Sequence, residues 1–315
     1  MYVIKVYVNL SEKAEKRDKR LRKTPKARLL GSHLLFLGPS MLIFLTVVAI
    51  PFAISLLYSF TDWNGVANEI RFVGLDNFRD IFSGKARFLD ALWFTLKMTL
   101  ASVFFINALG LLLAVALTTR LPWQNGFRAA YYLPQTMGGL ILGFIWQFIF
   151  VSGLPAVGDK LHLNWLSQQW LGTENSAFLA LVIVNVWQNA GYVMVILIAG
   201  LAGISSELIE SARVEGSSPL HTLLRVRLPL IVPFIAVALF WTLSSSLKMF
   251  EINLALTKGG PYGSTTSMAL NIYNDAFANN KYGLATAEGL VFFVIILAVT
   301  SVQMYLTKRK ENQLA

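Results

Sequence analysis

Long apolar stretches alternate with short polar ones along the whole chain. A helix needs about 20 mostly apolar residues to cross a bilayer. Six stretches reach that length, at residues 34–60, 91–118, 127–150, 177–203, 229–257 and 284–306. The pattern therefore predicts an all-α, polytopic membrane protein with six transmembrane helices. Within the third stretch, Leu133-Pro134 and Gly138-Gly139 predict a bent helix with a close approach of backbone.

The composition agrees with a membrane protein. The 315 residues are 55% apolar and only 14% charged, whereas soluble domains carry about 25% charged residues. The net charge of +10 is unevenly distributed, since ten lysines and arginines precede the first span. With the predicted spans, 18 lysines and arginines lie on one side of the membrane and 7 on the other. Positively charged loops stay in the cytoplasm, so this asymmetry indicates topology rather than a nucleic-acid partner.

The expected organisation follows from this topology. Residues 1–32 form a basic cytoplasmic tail, residues 33–307 the transmembrane domain, and residues 308–315 a short cytoplasmic tail. The protein is then a multi-pass protein of the cell membrane with both termini in the cytoplasm. The N-terminal lysines and arginines either contact anionic lipid headgroups or serve only as a topology signal.

Several kinds of chemistry are excluded or lack support. The chain has no cysteine, which excludes disulfides, thiolate chemistry and cysteine-based metal sites. Its histidines, His33, His162 and His221, are far apart and form no metal-ligand spacing. There is no phosphate loop of the form G-x-x-x-x-G-K-[ST], so we expect no ATP hydrolysis by this chain. An intramembrane enzyme would need a paired carboxylate or a serine with a base at membrane depth, and no such pair is evident.

The longest polar run in the second half is Glu207–Pro229, between the fourth and fifth spans. Ser206 is a suitable N-cap for a first helix, and Gly216 is well placed just past the end of that helix. Ser218 followed by Pro219 predicts the start of a second, short helix. A charged helix–turn–helix cannot lie in lipid, so this segment must lie on the membrane surface.

Polar side chains form one stripe on each of the two flanking spans. In span 4 the spacing i, i+3, i+4, i+7 places four residues on one helical face: Asn185, Gln188, Asn189 and Tyr192. In span 5 the same spacing relates Thr242, Ser245, Ser246 and Met249, and Asn253 extends the stripe. Amides facing lipid are costly, so the stripes either line a solute pathway or hydrogen-bond between helices. Hydroxyls and amides both donate and accept, as a polyhydroxylated sugar requires.

Three charged residues near the ends of spans need a separate interpretation. Lys248 and Glu251, at i and i+3 near the outer end of span 5, either pair at the mouth of the pathway or snorkel to the interface. Glu288, early in span 6, is expected near the surface by the same argument.

The polar run resembles the cytoplasmic coupling loop of ABC importer permeases, whose pattern is roughly E-A-A, three residues, G, and later L-P. Glu210-Ser211-Ala212 holds the E-A-A place, Gly216 follows in register, and Leu228-Pro229 holds the L-P. Ser211 replaces the usual alanine, and Glu215 replaces an aspartate. Residues 34–307 also resemble carbohydrate-uptake permeases of the maltose and glycerol-phosphate type, through stretches such as RFVGLDNFRDIF, FRAAYYLPQTMGGLILGFIW and WTLSSSLKMFEINLALTKGGPYGST.

The resemblance implies a type I ABC importer permease fold, with a cytoplasmic coupling helix in the loop 204–228. It further implies that this loop docks on a separate ATPase subunit through Glu207, Glu210, Ser211, Ala212, Glu215, Gly216, Leu228 and Pro229. ATP and Mg would be bound by that partner, with no cofactor and no metal in this chain. The implied partners are two ATPase subunits, a second permease subunit in a heterodimer, and an extracytoplasmic solute-binding protein.

The resemblance also implies a substrate class. Sugar contacts in maltose-type relatives cluster on the two spans that flank the coupling loop, and the corresponding candidates are Asn185, Gln188, Asn189, Tyr192, Thr242, Ser245, Ser246 and Met249. The expected function is the permease subunit of an ATP-driven, binding-protein-dependent importer that moves a carbohydrate by alternating access. The solute would be a sugar, an oligosaccharide, or a related polyol or glycerol phosphate.

The alternative is a secondary transporter or channel for a small polar solute. Such a protein would transport by itself and depend on an ion gradient. The chain has no clear internal repeat, which weighs against the inverted-repeat secondary transporters.

Overall fold

A computed structural model describes residues 36–84, 87–119 and 122–314, with side chains up to residue 309. Apart from turns and loops these residues are helical, and their one extended pairing is an isolated bridge between Thr61 and Phe72. The all-α prediction is confirmed. The predicted N-terminal tail, residues 1–32, lies outside the described residues.

Thirteen helices occur in the described part of the chain. They are α1 Phe36–Tyr58, α2 Asp76–Phe82, α3 Phe88–Ala116, α4 Gln124–Tyr132, α5 Gly139–Leu161, α6 Asn164–Ser167, α7 Glu174–Ala202, α8 Ser206–Val214, α9 Pro219–Leu230, α10 Val232–Leu247, α11 Glu251–Leu256, α12 Met268–Tyr273 and α13 Tyr282–Leu314. Five of these, α1, α3, α5, α7 and α13, are long and apolar enough to cross a membrane. The pair α9 and α10, bent by 75°, gives a sixth span when it is counted as one broken span. The predicted count of six spans is confirmed.

The third span begins later than the pattern of apolar residues predicts. The helix α4 ends at Tyr132 and continues as a 3-10 turn, Leu133–Thr136. Met137 and Gly138 are extended, and α5 starts only at Gly139. A proline without an N–H and two adjacent glycines weaken the helix here, so the predicted stretch 127–150 is divided and the spanning helix is α5.

The fifth span is interrupted at both ends. At the start, α9 meets α10 at Ile231 with the bend of 75°. Near the outer end, α10 stops at Leu247, and Lys248–Phe250 separate it from the short helix α11. The predicted stretch 229–257 is therefore three pieces rather than one helix.

The helix α7 is the centre of the bundle. It packs along α3, and a Cβ added at Gly110 of α3 would lie only 2.6 Å from Val193 Cγ1 of α7. Inside a membrane, helices associate through close packing of small residues rather than through the hydrophobic effect. Buried apolar side chains join α7 and α3 to α5 and α11 on one side, around Phe150, and to α10 on the other, around Met194.

The helix α1, up to Leu57, belongs to a separate unit, and all contacts described below lie within the unit that begins at Tyr58. At the outer end of that unit, a third apolar cluster joins α2, α3, α12 and α13 through Ile81, Phe88, Met268 and Phe292. These contacts anchor the long outer connections to the spans.

Candidate functional site

The polar run between the fourth and fifth spans begins with the capped helix α8. Its N-cap is Ser205, whose Oγ accepts a hydrogen bond from Glu207 N at 3.2 Å. The predicted N-cap, Ser206, is instead the first helical residue, so the helix begins one position earlier than expected. A cap of either kind satisfies one of the backbone N–H groups that the first turn leaves unpaired.

The end of α8 has the geometry that a glycine stop requires. Gly216 has φ +82°, a left-handed conformation that favours glycine. Its N–H donates to Arg213 O at 3.0 Å, and Ser217 N donates to Ala212 O at 3.0 Å. These two bonds are the Schellman pattern of a helix end. The helix α9 then starts as the sequence predicts, with Ser218 Oγ accepting from His221 N at 3.3 Å and Pro219 in the first turn.

The predicted coupling residues differ in exposure. Five of them are on the surface, namely Glu207, Glu210, Ser211, Glu215 and Gly216. Ala212 is buried, while Leu228 and Pro229 are half-buried at the end of α9, just before the bend. Two apolar side chains of α8 are also exposed, and Val214 is 89% exposed. The segment therefore presents a mixed charged and apolar surface, as a docking site does.

A cavity of about 410 Å³ lies where the start of α5, the middle of α7 and the interruption between α10 and α11 meet. Five of the eight predicted substrate residues line it: Asn185, Gln188, Asn189, Ser245 and Met249. The rest of the lining comes from Met137, Gly138, Gly139, Lys248, Phe250, Glu251 and Ile252. The cavity thus forms only because two of the spans are broken at this depth.

The amides of α7 hold the helices together and also line the cavity. Asn185 Nδ2 donates to Ser102 Oγ of α3 at 2.8 Å. Asn189 Nδ2 donates to Asn185 Oδ1 at 2.9 Å, and Gln188 Nε2 donates to Met137 O at 3.2 Å. Within the described residues, Gln188 Oε1 and Asn189 Oδ1 accept no hydrogen bond. The Asn185 and Gln188 nitrogens bond to other segments, whereas the Asn189 nitrogen bonds only within α7. The oxygens of Gln188 and Asn189 are left for another donor.

Three predicted substrate residues do not line this cavity. The Tyr192 ring packs on Trp241, with 4.2 Å between ring centroids. Thr242 is fully buried, where it donates to Ala238 O at 2.6 Å and accepts from Asn107 Nδ2 of α3 at 3.2 Å. Ser246 is also buried, and its Oγ has no partner among the described residues. Tyr192, Thr242 and Ser246 lie on the same helical faces as the cavity-lining residues. Further along each helix, however, that face packs against neighbouring helices instead of the cavity.

Of the predicted pair Gly138-Gly139, only Gly139 is closely approached, since a Cβ at Gly138 would meet nothing within 4 Å, and Gly143 is a second close approach that the sequence did not predict. A Cβ at Gly139 would lie 2.7 Å from Glu251 Oε2, and one at Gly143 would lie 2.5 Å from Ala255 Cβ. The two glycines are four residues apart and form the surface on which α11 packs. The bend before them also crosses α7, because a Cβ at Gly191 would overlap the Tyr131 carbonyl.

Lys248 and Glu251 lie at the cavity. The sequence had left open whether they pair at the mouth of the pathway or extend to the membrane interface. Both side chains are exposed, and in the described part of the chain neither forms an ion pair or a side-chain hydrogen bond. The sequence pattern offered pairing or snorkelling, since an unbroken helix would carry both residues to the outer end of the span. Their position follows from the break at 248–250, for which the sequence carries no strong signal such as proline or glycine.

Two other polar residues are buried. Asn253 does not extend the stripe toward a solute. Its Nδ2 donates to Thr265 O at 2.8 Å and its Oδ1 accepts from Ser267 N at 2.9 Å, so it anchors the following outer loop. Glu288 is fully buried among protein groups and accepts from Asn271 Nδ2 at 3.2 Å. Its expected position near the membrane surface stays a prediction.

Comparisons with known proteins agree with this geometry. Residues 106–312 match the family described as binding-protein-dependent transport system inner membrane component. The chain is 43% identical over 280 residues to the probable starch degradation products transport system permease protein AmyD of Thermoanaerobacterium thermosulfurigenes. The matched region covers 89% of this chain and 95% of that protein. It is 37% identical over 254 residues to the multiple sugar-binding transport system permease protein MsmF of Streptococcus mutans, and that match covers 81% of this chain and 87% of MsmF.

Solved structures include a similar chain. A bacterial ABC transporter involved in the import of the acidic polysaccharide alginate contains a chain with a TM-score of 0.78 and 25% sequence identity. The match covers 92% of the present chain and 99% of that one. A second structure of such a transporter, in complex with an alginate pentasaccharide-bound periplasmic protein, matches with a TM-score of 0.76 and 22% identity, which bears on the fold alone.

Proposed function

The chain belongs to the family of binding-protein-dependent transport system inner membrane components, and from this membership we propose that it forms one half of the membrane pathway of an ATP-driven saccharide importer. It is a multi-pass membrane protein with the fold of a type I ABC importer permease. Its function is that of a permease, and the reaction that drives transport belongs to another subunit in this proposal.

The observation that carries the saccharide proposal is the cavity between α5, α7 and α10–α11. Its walls combine the acceptor oxygens of Gln188 and Asn189 with the hydroxyl of Ser245 and the apolar side chains of Met249 and Phe250. Apolar walls with a few directed polar groups are typical of small-molecule sites. The related permeases named above serve transport systems for starch degradation products and for multiple sugars, which supports a saccharide here.

The coupling proposal uses the surface of α8 and α9. These helices are joined to α7 and α10, which both contribute residues to the cavity wall. From Asn189 to the end of α7 at Ala202 is about 20 Å along the helix, at 1.5 Å per residue. A partner that moves α8 therefore displaces one end of a helix whose middle forms the cavity wall. In this proposal Glu210 and the neighbouring exposed residues dock on a cytoplasmic ATPase subunit that binds ATP and Mg.

The remaining partners follow from the same reasoning. In this proposal six spans make only half of the pathway, and a second permease subunit completes it. Two ATPase subunits then act on the two coupling surfaces, and an extracytoplasmic solute-binding protein delivers the saccharide to the outer loops. Both termini of this chain lie in the cytoplasm.

The test is purification of the chain from its native membrane in mild detergent, with identification of each subunit that accompanies it. We expect an ATPase, a second permease and a saccharide-binding protein. Reconstitution of that complex in vesicles should give uptake of the saccharide that the binding protein binds, dependent on ATP. Transport by the isolated chain, driven by an ion gradient, would overturn the proposal in favour of a secondary transporter.

A further inference from the structure

The charges of the cavity wall are confined to the interruption of span 5. Among the described lining residues only Lys248 and Glu251 carry a formal charge, so the part of the wall that this chain provides has no net formal charge. Both follow the end of α10 at Leu247, and Glu251 is the first residue of α11. Two oppositely charged side chains three residues apart thus face a site that otherwise has only amide, hydroxyl and apolar groups.

The interruption that presents them is built into the fold. Ser267 Oγ donates to Met249 O at 2.8 Å, and the same serine N–H donates to Asn253 Oδ1 at 2.9 Å. Both Ser267 and Asn253 are buried. The loop that contains Ser267 therefore bonds to the Met249 carbonyl before Phe250 and to the Asn253 side chain after it, and these buried bonds fix the segment that carries the two charged residues.

Each charge has a different setting. Glu251 lies against Gly139, the first residue of the long helix α5, where the helix dipole stabilises a carboxylate. Gly138, the N-cap of α5, provides no side-chain cap. Lys248 is exposed and has no partner in the described part of the chain. The ammonium group of Lys248 is therefore available to donate, and the carboxylate of Glu251 to accept, hydrogen bonds with a solute in the cavity.

The pair suits a solute without a charge of its own. A lysine ammonium only donates and a carboxylate only accepts, while a sugar hydroxyl does both. A uronate or a sugar phosphate could pair with Lys248 but would be repelled by Glu251, and it would leave an excess negative charge beside the balanced pair. A neutral saccharide adds none and can bridge the ammonium and the carboxylate with its hydroxyls.

Resting on the saccharide function proposed above, we propose that Lys248 and Glu251 are specificity-determining residues that contact the solute and select neutral over anionic saccharides. The opposite signs of the two side chains, and not merely their polarity, then determine the preference. This assigns a role in recognition to residues that the polar stripes did not include.

The test measures equilibrium binding to the purified complex without its binding protein, so that selection by that protein does not enter. The probes are maltotriose and maltotriose whose terminal primary hydroxyl has been oxidised to a carboxylate. We expect the unmodified complex to bind the neutral probe more tightly. Glu251→Gln, which leaves the lysine unbalanced, should shift the affinity ratio toward the anionic probe by about tenfold or more, the effect of one unsatisfied charge contact. Lys248→Gln should shift the ratio the other way.

The charge-reversed pair provides the decisive control. Lys248→Glu alone gives the wall two negative charges and should weaken both probes, whereas Lys248→Glu combined with Glu251→Lys should restore the neutral preference to within about threefold, since the wall is balanced again. Lys160→Gln and Glu69→Gln, on exposed residues away from the cavity, should leave the ratio unchanged. The inference is overturned if Glu251→Gln and Lys248→Gln leave the affinity ratio unchanged, or if a complex that imports a saccharide binds neither probe. In both cases the proposed function would stand. Failure of ATP-dependent saccharide uptake by the unmodified complex overturns the proposed function as well.

Discussion

Single residues decide how closely the helices approach one another. Gly191 lies where the bend after α4 crosses α7, and a Cβ there would overlap the carbonyl oxygen of Tyr131. Because the obstructing atom belongs to backbone, no side-chain rotation can relieve the overlap. Gly191 therefore tolerates no side chain, although it lies between two residues of the polar stripe, Asn189 and Tyr192.

Gly191→Ala should destabilise the fold by about 1–3 kcal/mol or more, the usual cost of overpacking. The measurement is the fraction of monodisperse protein that survives heating in detergent. Gly289→Ala is the matched control, because Gly289 also lies in a spanning helix but has open space around it. Equal thermal survival of the two variants would contradict the close crossing at Gly191.

The two asparagines of α7 differ in what they hold together. Asn185 bonds to Ser102 of α3 and also accepts from Asn189, whereas the described bonds of Asn189 all return to Asn185 on its own helix. A membrane hydrogen bond between helices stabilises by about 0.6 kcal/mol, and at most about 2 kcal/mol. The two amides are thus separable by mutation.

Asn189→Leu should reduce saccharide uptake by about tenfold, the effect of one lost polar contact to the solute, while the complex still assembles. Asn185→Leu should reduce uptake too, but with less assembled complex, because it also removes the bond to α3. Uptake divided by the amount of assembled complex separates the two effects. Normal uptake per complex in Asn189→Leu would remove this residue from the solute pathway.

At the scale of one element, the segment formed by α8 and α9, called the coupling segment here after its proposed role, is held together by bonds between residues close in sequence. Its two helices are capped by serines, and its turn depends on a glycine in a left-handed conformation. A Cβ at Gly216 would meet open space, so the constraint there is the backbone angle and not crowding.

Gly216→Ala should cost about 1–2 kcal/mol, the penalty for a left-handed alanine, and leave partial uptake. Gly216→Pro should abolish uptake, because proline cannot adopt a φ of +82° and lacks the N–H that bonds to Arg213 O. Membrane insertion of both variants should be normal, as judged by their amounts in the membrane fraction. Uptake by Gly216→Pro at the level of the unmodified protein would mean that the turn does not serve coupling.

Glu210 tests the surface of the same element. Its side chain is exposed on α8, so Glu210→Lys should leave the helix and the rest of the fold intact. We expect loss of the ATPase from the purified complex and loss of uptake, while Glu210→Gln retains part of both. The measurement is the number of ATPase subunits per permease chain in the purified complex of each variant. Retention of the ATPase at full stoichiometry in Glu210→Lys would show that this carboxylate is not part of the docking surface.

At the scale of the whole molecule, the cavity and the coupling surface belong to one pair of helices. The spans α7 and α10 contribute to the cavity wall together with α5 and α11, and each of the two is joined at one end to the segment formed by α8 and α9. Alternating access then requires that the cavity open to one side of the membrane at a time. The absence of cysteine from the chain makes this directly measurable with single introduced thiols.

Ser245→Cys places a thiol in the cavity wall. In the assembled complex without nucleotide we expect it to react with a membrane-impermeant maleimide from the cytoplasmic side, and with bound non-hydrolysable ATP from the outer side. Ala238→Cys, on a fully buried residue of the same helix, should react from neither. Labelling of Ser245→Cys from the same side in both conditions would contradict alternating access through this cavity.

The sequence by itself determined the features that depend on local interactions. Apolar length predicts the six spans, and the coupling segment is held by bonds between residues a few positions apart, such as Ser218 to His221 and Ser217 to Ala212. Interactions of this range are encoded in neighbouring residues, so pattern and capping rules find them. The one error of register, Ser206 for Ser205, concerns two serines of which either can cap.

Only the tertiary structure decided which polar residues share the cavity. Helical spacing places Thr242 and Ser245 on one face, but Asn107 of α3 meets the first of them and the cavity meets the second. The break that brings Lys248 and Glu251 to the cavity is held by an outer loop more than a dozen residues further along the chain. The rotation of each helix, and the partner it meets, depend on contacts between distant segments, and no periodicity within one segment contains that information.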